Sequence, residues 1–288
     1  MQRTISVTEA SYFYMRFGST LNFCGMLVVT FFCTVPMHAQ DAKALVTKAV
    51  HSELSADAND HSQWRYRDEQ RDQNKVSIVV ETRYGSVKRL TERNGQPLSQ
   101  AATQAEDARL RNFISDPAKL AKQKRDSEND DKNATELLKM LPEAFLWTIK
   151  EHSGDTITLH FEPDPDFSAP DMQSRVLGAM NGDMEVNEKQ QRIQSINGRL
   201  TRDITFGFGL LGRLHQGGTF HVIRHEVAPS IWEITETHVH IEGRALFFKN
   251  IGQQQDEVQT NFTPVPATTT LEQAIEMSKP DQSKPDHK

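Results

Sequence analysis

Four histidines lie on two neighbouring predicted strands at a spacing that could bind a metal ion. His238 and His240 alternate along one strand, and His221 and His225 alternate along the strand before it. Imidazole nitrogens on adjacent strands bind zinc when three or four such ligands converge. Alternating polar residues are also typical of a strand that has one face in water. We therefore expect a solvated polar face, and we keep a metal-dependent enzyme that uses these histidines as an alternative.

A glycine-rich segment matches the spacing of a dinucleotide-binding loop. Gly207, Gly209 and Gly212 follow a strand-like stretch, as in the GxGxxG fingerprint. That fingerprint binds pyrophosphate only where a helix of several turns begins at the loop, and Gly217 and Gly218 interrupt the chain a few residues later. The sequence also contains no HExxH metal motif and no Gly-x-Ser-x-Gly nucleophile motif. We expect no cofactor, no resident metal and no catalytic residue.

Large apolar side chains recur on the predicted strands, where they could line a ligand cavity. A curved sheet turns one face into a hollow, and each methylene group buried there contributes about 0.8 kcal/mol. The aromatic and branched residues of these strands are therefore candidates for either a cavity wall or a core. The ligand-cavity candidates are Trp64, Tyr66, Ile78, Val80, Phe145, Trp147, Phe206, Phe208, Phe220 and Phe247.

Alternation of residue types at period two predicts that most of the chain forms antiparallel strands. Thr219 to Val227 and Ile231 to Ile241 are rich in β-branched and aromatic residues, with a proline-containing turn between them. Phe145 to His152 and Thr156 to Glu162 flank a Ser-Gly turn and predict a second hairpin. In total the pattern predicts roughly eleven strands and three or four helices. We expect an α+β fold with a large curved antiparallel sheet, a half-barrel.

Helical patterns interrupt the strands at the N-terminus and in the middle of the chain. Apolar residues spaced by three and four positions predict a helix over Asp41 to Ser55. Residues 101–141 predict a helical insert of two or three helices, with a charged, mobile connection at 125–133. We expect this insert to cover the concave face of the sheet. It does so either as an ordinary packing layer or as a lid over a cavity.

The chain length and the composition of its C-terminus predict one domain and a tail. Residues 40–263 are sufficient for a single domain with one core. Residues 264–288 are rich in Thr, Pro, Lys and Asp, which is typical of a disordered segment. We expect a disordered tail there, apart from a short helical stretch at Leu271 to Met277.

The N-terminal segment has the pattern of a secretory signal peptide. An apolar run from Leu21 to Pro36 follows Arg16 and is shorter than the roughly 20 residues that a membrane helix needs. This pattern predicts that residues 1–39 are a signal peptide cleaved after Ala39, and a retained membrane anchor is the alternative. We expect an exported protein, periplasmic or extracellular, that is soluble and has no stable membrane span after cleavage.

Charge and cysteine content exclude several classes of function. The chain has 33 Lys and Arg against 39 Asp and Glu, a net charge of −6, and this acidity argues against nucleic acid as a partner. Both cysteines, Cys24 and Cys33, lie in the predicted signal peptide. The mature chain would then contain no disulfide, no thiolate nucleophile and no cysteine metal ligand.

Two segments carry a resemblance to a known superfamily. DAKALVTKAVHSEL before WRYRDEQ, and VNEKQQRIQSINGRL, resemble the lipoprotein-carrier superfamily of LolA and LolB, with the sigma-factor regulator RseB as a more distant relative. DITFGFGLLGRL followed by HVHIEGRALFFK is also similar to exported bacterial proteins of unassigned function. The superfamily resemblance implies a curved half-barrel closed by helices, whose concave face takes acyl chains. It assigns no individual ligand residue to this chain.

Together these observations favour a non-catalytic binding protein. We expect its curved sheet to bind a lipid, a lipoprotein acyl chain or another hydrophobic ligand, with mobile helices controlling entry. An interaction module that holds a protein partner in the cell envelope is the first alternative. The metal-dependent enzyme is the second.

Overall fold

The structure is a computed structural model that describes residues 37–206, 212–245 and 253–280. Within these residues an open antiparallel sheet of eleven strands is combined with helices, which confirms the predicted α+β fold with a large antiparallel sheet. The predicted signal peptide lies almost entirely outside the described residues, as does most of the glycine-rich segment that begins at Gly207. None of the described helices is long and apolar enough to cross a membrane.

The helices are α1 (Met37–Asn59), α2 (Gln100–Ile114), α3 (Pro117–Ala144), α4 (Met172–Leu177) and α5 (Leu271–Met277). The strands are β1 (Trp64–Gln70), β2 (Lys75–Thr82), β3 (Gly85–Arg93), β4 (Gln96–Pro97), β5 (Phe145–Ser153), β6 (Thr156–Pro163), β7 (Met180–Asn187), β8 (Arg192–Leu200), β9 (Ile204–Phe206), β10 (Gly212–Leu214), β11 (Thr219–Ala228), β12 (Ile231–Ile241), β13 (Gly243–Ala245) and β14 (Gln253–Pro264).

The main sheet has the order β4-β3-β2-β1-β14-β12-β11-β8-β7-β6-β5, and β13-β10-β9 form a small second sheet. Helix α3 contacts both β3 and β5, which stand nine steps apart in that order. Nine steps cover about 43 Å in a flat sheet. The helix spans only about 32 Å from Gln123, its contact with β3, to Ala144 at the start of β5. The sheet therefore curves toward α3.

The concave side, called the inner face here, carries Tyr66, Trp147 and Phe161 among its side chains. The cross-strand register places these residues on one face, because directly paired residues of antiparallel strands point the same way. Over β5 to β8 this face is a filled core. Val46 of α1 and Leu141 of α3 are buried against it. Apolar residues of both helices thus cover this half of the sheet, as their spacing predicts.

Within the described part of the chain, the opposite, outer face carries a helix at the β2 and β3 end. Ile78, Val80 and Val87 form a second core there with Ala274 and Ile275 of α5. The sequence composition predicted a disordered tail from residue 264, but residues 265–280 are a packed segment. The helical stretch expected at Leu271 to Met277 is confirmed as α5. The residues around it, expected to be disordered, are ordered because α5 buries a small apolar face that its polar flanks obscure.

A buried arginine holds the C-terminal segment in place. Arg89 is 2 % exposed, and its guanidinium donates to the hydroxyl of Ser278 at 2.9 Å and to the carbonyl oxygen of Ile275 at 3.1 Å. It also forms an ion pair with Asp107 of α2. One side chain of the sheet therefore links both α2 and α5 to the outer face.

The helices of the insert close one edge of the sheet. Strand β4 pairs with only two residues of β3, so the rest of β3 has outward-facing backbone groups. Gln123 of α3 accepts from the amide of Ser86 at 3.2 Å and donates to its carbonyl oxygen at 3.0 Å. Glu106 of α2 accepts from the amide of Leu90 at 2.8 Å, and Arg109 of α2 donates to the carbonyl oxygen of Lys88 at 2.7 Å. Side chains thus take the place of a missing strand, which blocks edge-to-edge association.

The middle of the insert differs from the sequence expectation. Residues 125–133, predicted as a mobile connection, lie inside the continuous helix α3. Ion pairs between residues four apart, such as Lys122 with Asp126 and Lys124 with Glu128, run along this stretch and favour the helix. High charge alone predicted a linker, but the charges alternate in sign at helical spacing.

Candidate functional site

Two adjoining cavities lie between α3 and the inner face of the sheet. The first has a volume of about 920 Å³ and lies toward β1 and β14. The second has a volume of about 1190 Å³ and lies toward α1 and β8. Asp131, Glu233 and Ile234 line both cavities, so the two are halves of one cleft. We call the first half the acidic cavity and the second half the apolar cavity.

Few side chains pack against the middle of helix α3 where the helix crosses this cleft. All nine residues from Lys124 to Lys132 are exposed. The helix is fixed at its two ends instead, by the Gln123 contacts with β3 and by the buried Leu141 and Ala144. A helix normally buries an apolar stripe along its length, and here the stripe is absent where the sheet curves away. This stretch bridges an open space.

The apolar cavity exposes more apolar than polar surface, although polar and charged residues make up more than half of its lining. Its apolar residues come from α1, the C-terminal half of α3, and the central strands β8, β11 and β12. Carboxylates also line it, together with Arg192 and Arg224. The apolar lining residues are Leu54, Ala56, Ala134, Leu137, Leu138, Leu141, Ile193, Ile196, Val222, Ile231, Trp232 and Ile234.

A buried ion cluster forms one end of the apolar cavity. Glu53 of α1 accepts from Arg192 Nη2 at 2.9 Å, pairs with Arg224 Nη1 at 2.5 Å, and accepts from the amide of Ile193 at 2.7 Å. Arg224 also donates to the carbonyl oxygen of Trp232 at 2.8 Å. Burial raises the pKa of Glu53, but the two guanidinium groups outweigh it and lower the pKa below its usual value. The cluster fixes α1 to β8 and β11 beside the cavity.

The acidic cavity combines carboxylates with aromatic rings. Tyr66 and Phe262 stack with their ring centroids 5.1 Å apart, and both rings line the cavity together with Phe113 of α2. The basic residues among the described part of its lining are Lys119 and Lys122, which pair with Asp116 at the start of α3 and with Asp126 within it. The lining carboxylates come from both walls and are Glu81, Glu233 and Glu257 of the sheet and Asp126, Asp130 and Asp131 of α3.

Two of the three sheet carboxylates of this cavity, Glu81 and Glu233, are held where their negative charge is poorly compensated. Burial raises the pKa of Glu233 to about 7, and the charges of Glu81 and Asp60 add to the effect. Burial also raises the pKa of Glu81, although Glu81 accepts from the amide of Trp64 at 3.0 Å. Burial and these nearby carboxylates raise the pKa of Tyr66. Glu233 is therefore only partly ionised at neutral pH, and a cation beside it would favour its charged form.

Neutralising Glu233 should stabilise the protein at alkaline pH. Its folded-state pKa of about 7 lies above the ordinary 4.5, so the stability of the protein falls as the pH rises from 4.5 through 7. We expect Glu233→Gln to raise the free energy of unfolding by about 1 to 2 kcal/mol at pH 8, after allowance for partial exposure, and by much less at pH 4. Urea denaturation at both pH values measures this difference.

The matched control is Glu242→Gln. Glu242 lies just beyond the same strand, and its side chain is 66 % exposed. This control should change stability equally little at both pH values. If Glu233→Gln changed the free energy of unfolding as little as this control at both pH values, the ionised form of Glu233 would not destabilise the folded protein.

The structure sorts the ligand-cavity candidates into different environments. Only Tyr66 lines a cavity, while Trp64 is buried beside it. Phe145 and Trp147 form the filled inner core, and Phe220 packs at its margin. The branched pair Ile78 and Val80 lies on the outer face beneath α5. The Phe206 side chain and the residues Phe208 and Phe247 lie outside the described part of the structure.

The four histidines do not assemble into one cluster. His221 and His238 are directly paired across β11 and β12, with ring centroids 6.1 Å apart on the outer face. His238 lies between Asp256 and Glu236, whereas His225 bonds Thr235 and His240 approaches only Glu242. Across residues 37–206, 212–245 and 253–280, no three or more His, Cys, Asp or Glu side chains are placed to hold a metal ion.

Several residues of the cleft were not identified by sequence reasoning. Glu53 occupies a polar position of a helix, where a carboxylate is usually solvated, and Arg192 and Arg224 lie on strands far away in sequence. Glu233 follows Trp232 on a half-exposed strand and resembles any surface acid. One signal was available: Asp126 and Asp130 of α3 are four residues apart, a spacing that places them on one helix face.

Comparisons with known proteins add no assignment. No protein-family model matches this chain. No curated protein sequence and no solved structure matches it either.

Proposed function

We propose that the protein is a non-catalytic binding protein whose cleft between α3 and the inner face takes a hydrophobic ligand. The observation that carries this proposal is the apolar cavity of about 1190 Å³, whose surface is more apolar than polar and includes eleven aliphatic side chains and Trp232. Cavities of this size and lining are typical of small-molecule sites. A lipid or another long apolar chain fits the elongated form of two adjoining cavities.

Helix α3 supplies a route of entry. Its middle contacts little beneath it, so lifting this part would break few apolar contacts while the two ends remain attached. Segments with few buried contacts open at the lowest free-energy cost. The insert thereby combines the two roles that its sequence left open, since its C-terminal end packs as a layer and its middle serves as a lid.

Filling the apolar cavity should reduce ligand binding. Ala134 is exposed on α3 and lines this cavity, so Ala134→Trp places a large side chain in it without disturbing a core. With the neutral fluorescent probe N-phenyl-1-naphthylamine, we expect about a tenfold weaker affinity. The introduced side chain removes about 55 Å² of apolar contact between the probe and the cavity. At roughly 25 cal/mol per Å², the binding free energy weakens by about 1.4 kcal/mol.

The control is Asn129→Trp, which introduces the same side chain on the same helix. Asn129 is exposed and does not belong to the lining of either half of the cleft. It should leave the probe affinity unchanged. Absence of probe binding to the unmodified protein, or an equal loss in both variants, would contradict the proposed function.

A further inference from the structure

We infer that the ligand is a cationic amphiphile, with its apolar chain in the apolar cavity and a protonated amine in the acidic cavity. This inference rests on the proposed function and adds the charge of the ligand. Because Asp131, Glu233 and Ile234 belong to both linings, one molecule can reach from one half of the cleft into the other.

The charge balance of the acidic cavity favours a cation. Among the residues that the structure describes, six carboxylates line it against two lysines, and both lysines already pair with aspartates at the start of α3 or within it. Among the described residues, no ion pair holds Glu81, Glu233, Asp130 or Asp131. Carboxylates of α3 therefore face carboxylates of the sheet across an open space. A cation placed between two such walls is attracted by both of them.

The aromatic rings favour an organic cation over a metal ion. The Tyr66 and Phe262 rings, stacked at an interplanar angle of 22°, form part of the same wall as the carboxylates, and Phe113 adds a third ring. Ring faces attract ammonium groups, and such a site also holds the methylene groups next to the nitrogen. A divalent ion needs several oxygens at one point. The described carboxylates, imidazoles and thiols form no such group of three or more.

The apolar half of the cleft explains why the cation should carry a chain. A small hydrated amine would leave the aliphatic wall of the apolar cavity in contact with water. An alkyl chain covers it, and each buried methylene adds about 0.8 kcal/mol of affinity. The preferred ligand therefore combines an amine with an apolar chain. A fatty acid of equal length should bind more weakly, because its carboxylate would enter a cavity lined by carboxylates.

Three probes of equal chain length test the inference: decylamine, decanol and decanoate, each titrated against the full chain by calorimetry. We expect the amine to bind at least about tenfold more tightly than the alcohol, and decanoate to bind most weakly. The preference for the amine should shrink as the salt concentration rises, because salt screens charges that remain partly solvated.

The variant Glu81→Gln combined with Glu233→Gln separates charge from structure. Glutamine keeps the shape of the side chain and an oxygen that can accept the Trp64 amide bond. We expect the ratio of amine affinity to alcohol affinity to fall toward one. A purely structural role would weaken both probes together and leave the ratio unchanged.

Each outcome has a distinct meaning. Equal binding of the three probes would overturn the inference and leave the proposed function standing, whereas no binding of any probe would overturn both. Displacement of decylamine by magnesium at constant ionic strength would assign the carboxylates to an inorganic cation and overturn the inference. Retention of the amine preference in the double variant would also contradict it.

Discussion

Glu53→Ala is expected to lower the free energy of unfolding by about 3 to 5 kcal/mol, because it leaves the buried guanidinium group of Arg192 and the partly buried one of Arg224 without their shared carboxylate. The side chain of Glu53 is only 6 % exposed, so water replaces the lost partner only in part. Urea denaturation at pH 7 measures the loss. The lowered pKa of Glu53 means that its contribution is present above pH 4.5 and is lost as the pH falls through the folded-state value.

An exposed ion pair between α1 and α3 provides the control. Lys43 of α1 and Glu143 of α3 meet at 2.6 Å, but their side chains are 45 % and 69 % exposed. Glu143→Ala should therefore cost no more than about 1 kcal/mol. Similar losses in the two variants would show that Glu53 is not a buried anchor of α1.

Phe161→Ala is expected to destabilise the protein by about 3 to 5 kcal/mol. Phe161 is fully buried, and its ring lies 4.6 Å from that of Phe145 and 5.3 Å from that of Trp147, between centroids. Removing it opens a cavity in the half of the inner face that is already filled. The near-ultraviolet circular dichroism of Trp147 should weaken as well, because its ring loses a rigid neighbour.

Leu146→Ala is the matched control on the outer side of the same hairpin. Leu146 is 52 % exposed, and we expect its loss to change stability by less than about 0.5 kcal/mol. A Phe161→Ala variant with nearly unchanged stability would mean that β5 to β8 do not form a close-packed core. The open and filled halves of the inner face would then not be distinct.

The local pattern of the sequence predicts the strands better than it predicts their partners. Alternation identified the hairpins β5 with β6 and β11 with β12, since neighbouring strands along the chain usually pair. It could not place β14 between β1 and β12, because the pairing of β14 with β1 joins residues about two hundred positions apart. The alternation of residue types within a strand does not depend on which strand it pairs with.

The cleft was harder to predict because its residues belong to no local motif. Tyr66 lines it while Trp147 fills a core, although both are aromatic residues at alternate positions of a strand. The difference arises from where α1 and α3 lie over the sheet, which is set by contacts such as that of Glu53 with Arg192. Nothing in the local sequence of an amphipathic helix distinguishes a charged residue that will be buried from one that stays in water.

The measurement that tests the central claim most directly is a chain-length series of neutral alcohols, from hexanol to tetradecanol, titrated against the unmodified protein by calorimetry. If the cleft takes an apolar chain, affinity should rise about fourfold with each added methylene, equivalent to about 0.8 kcal/mol, until the cleft is filled, and then level off. Ala134→Trp should bring the plateau to a shorter chain. An affinity that does not depend on chain length, or no heat of binding at any length, would contradict the account.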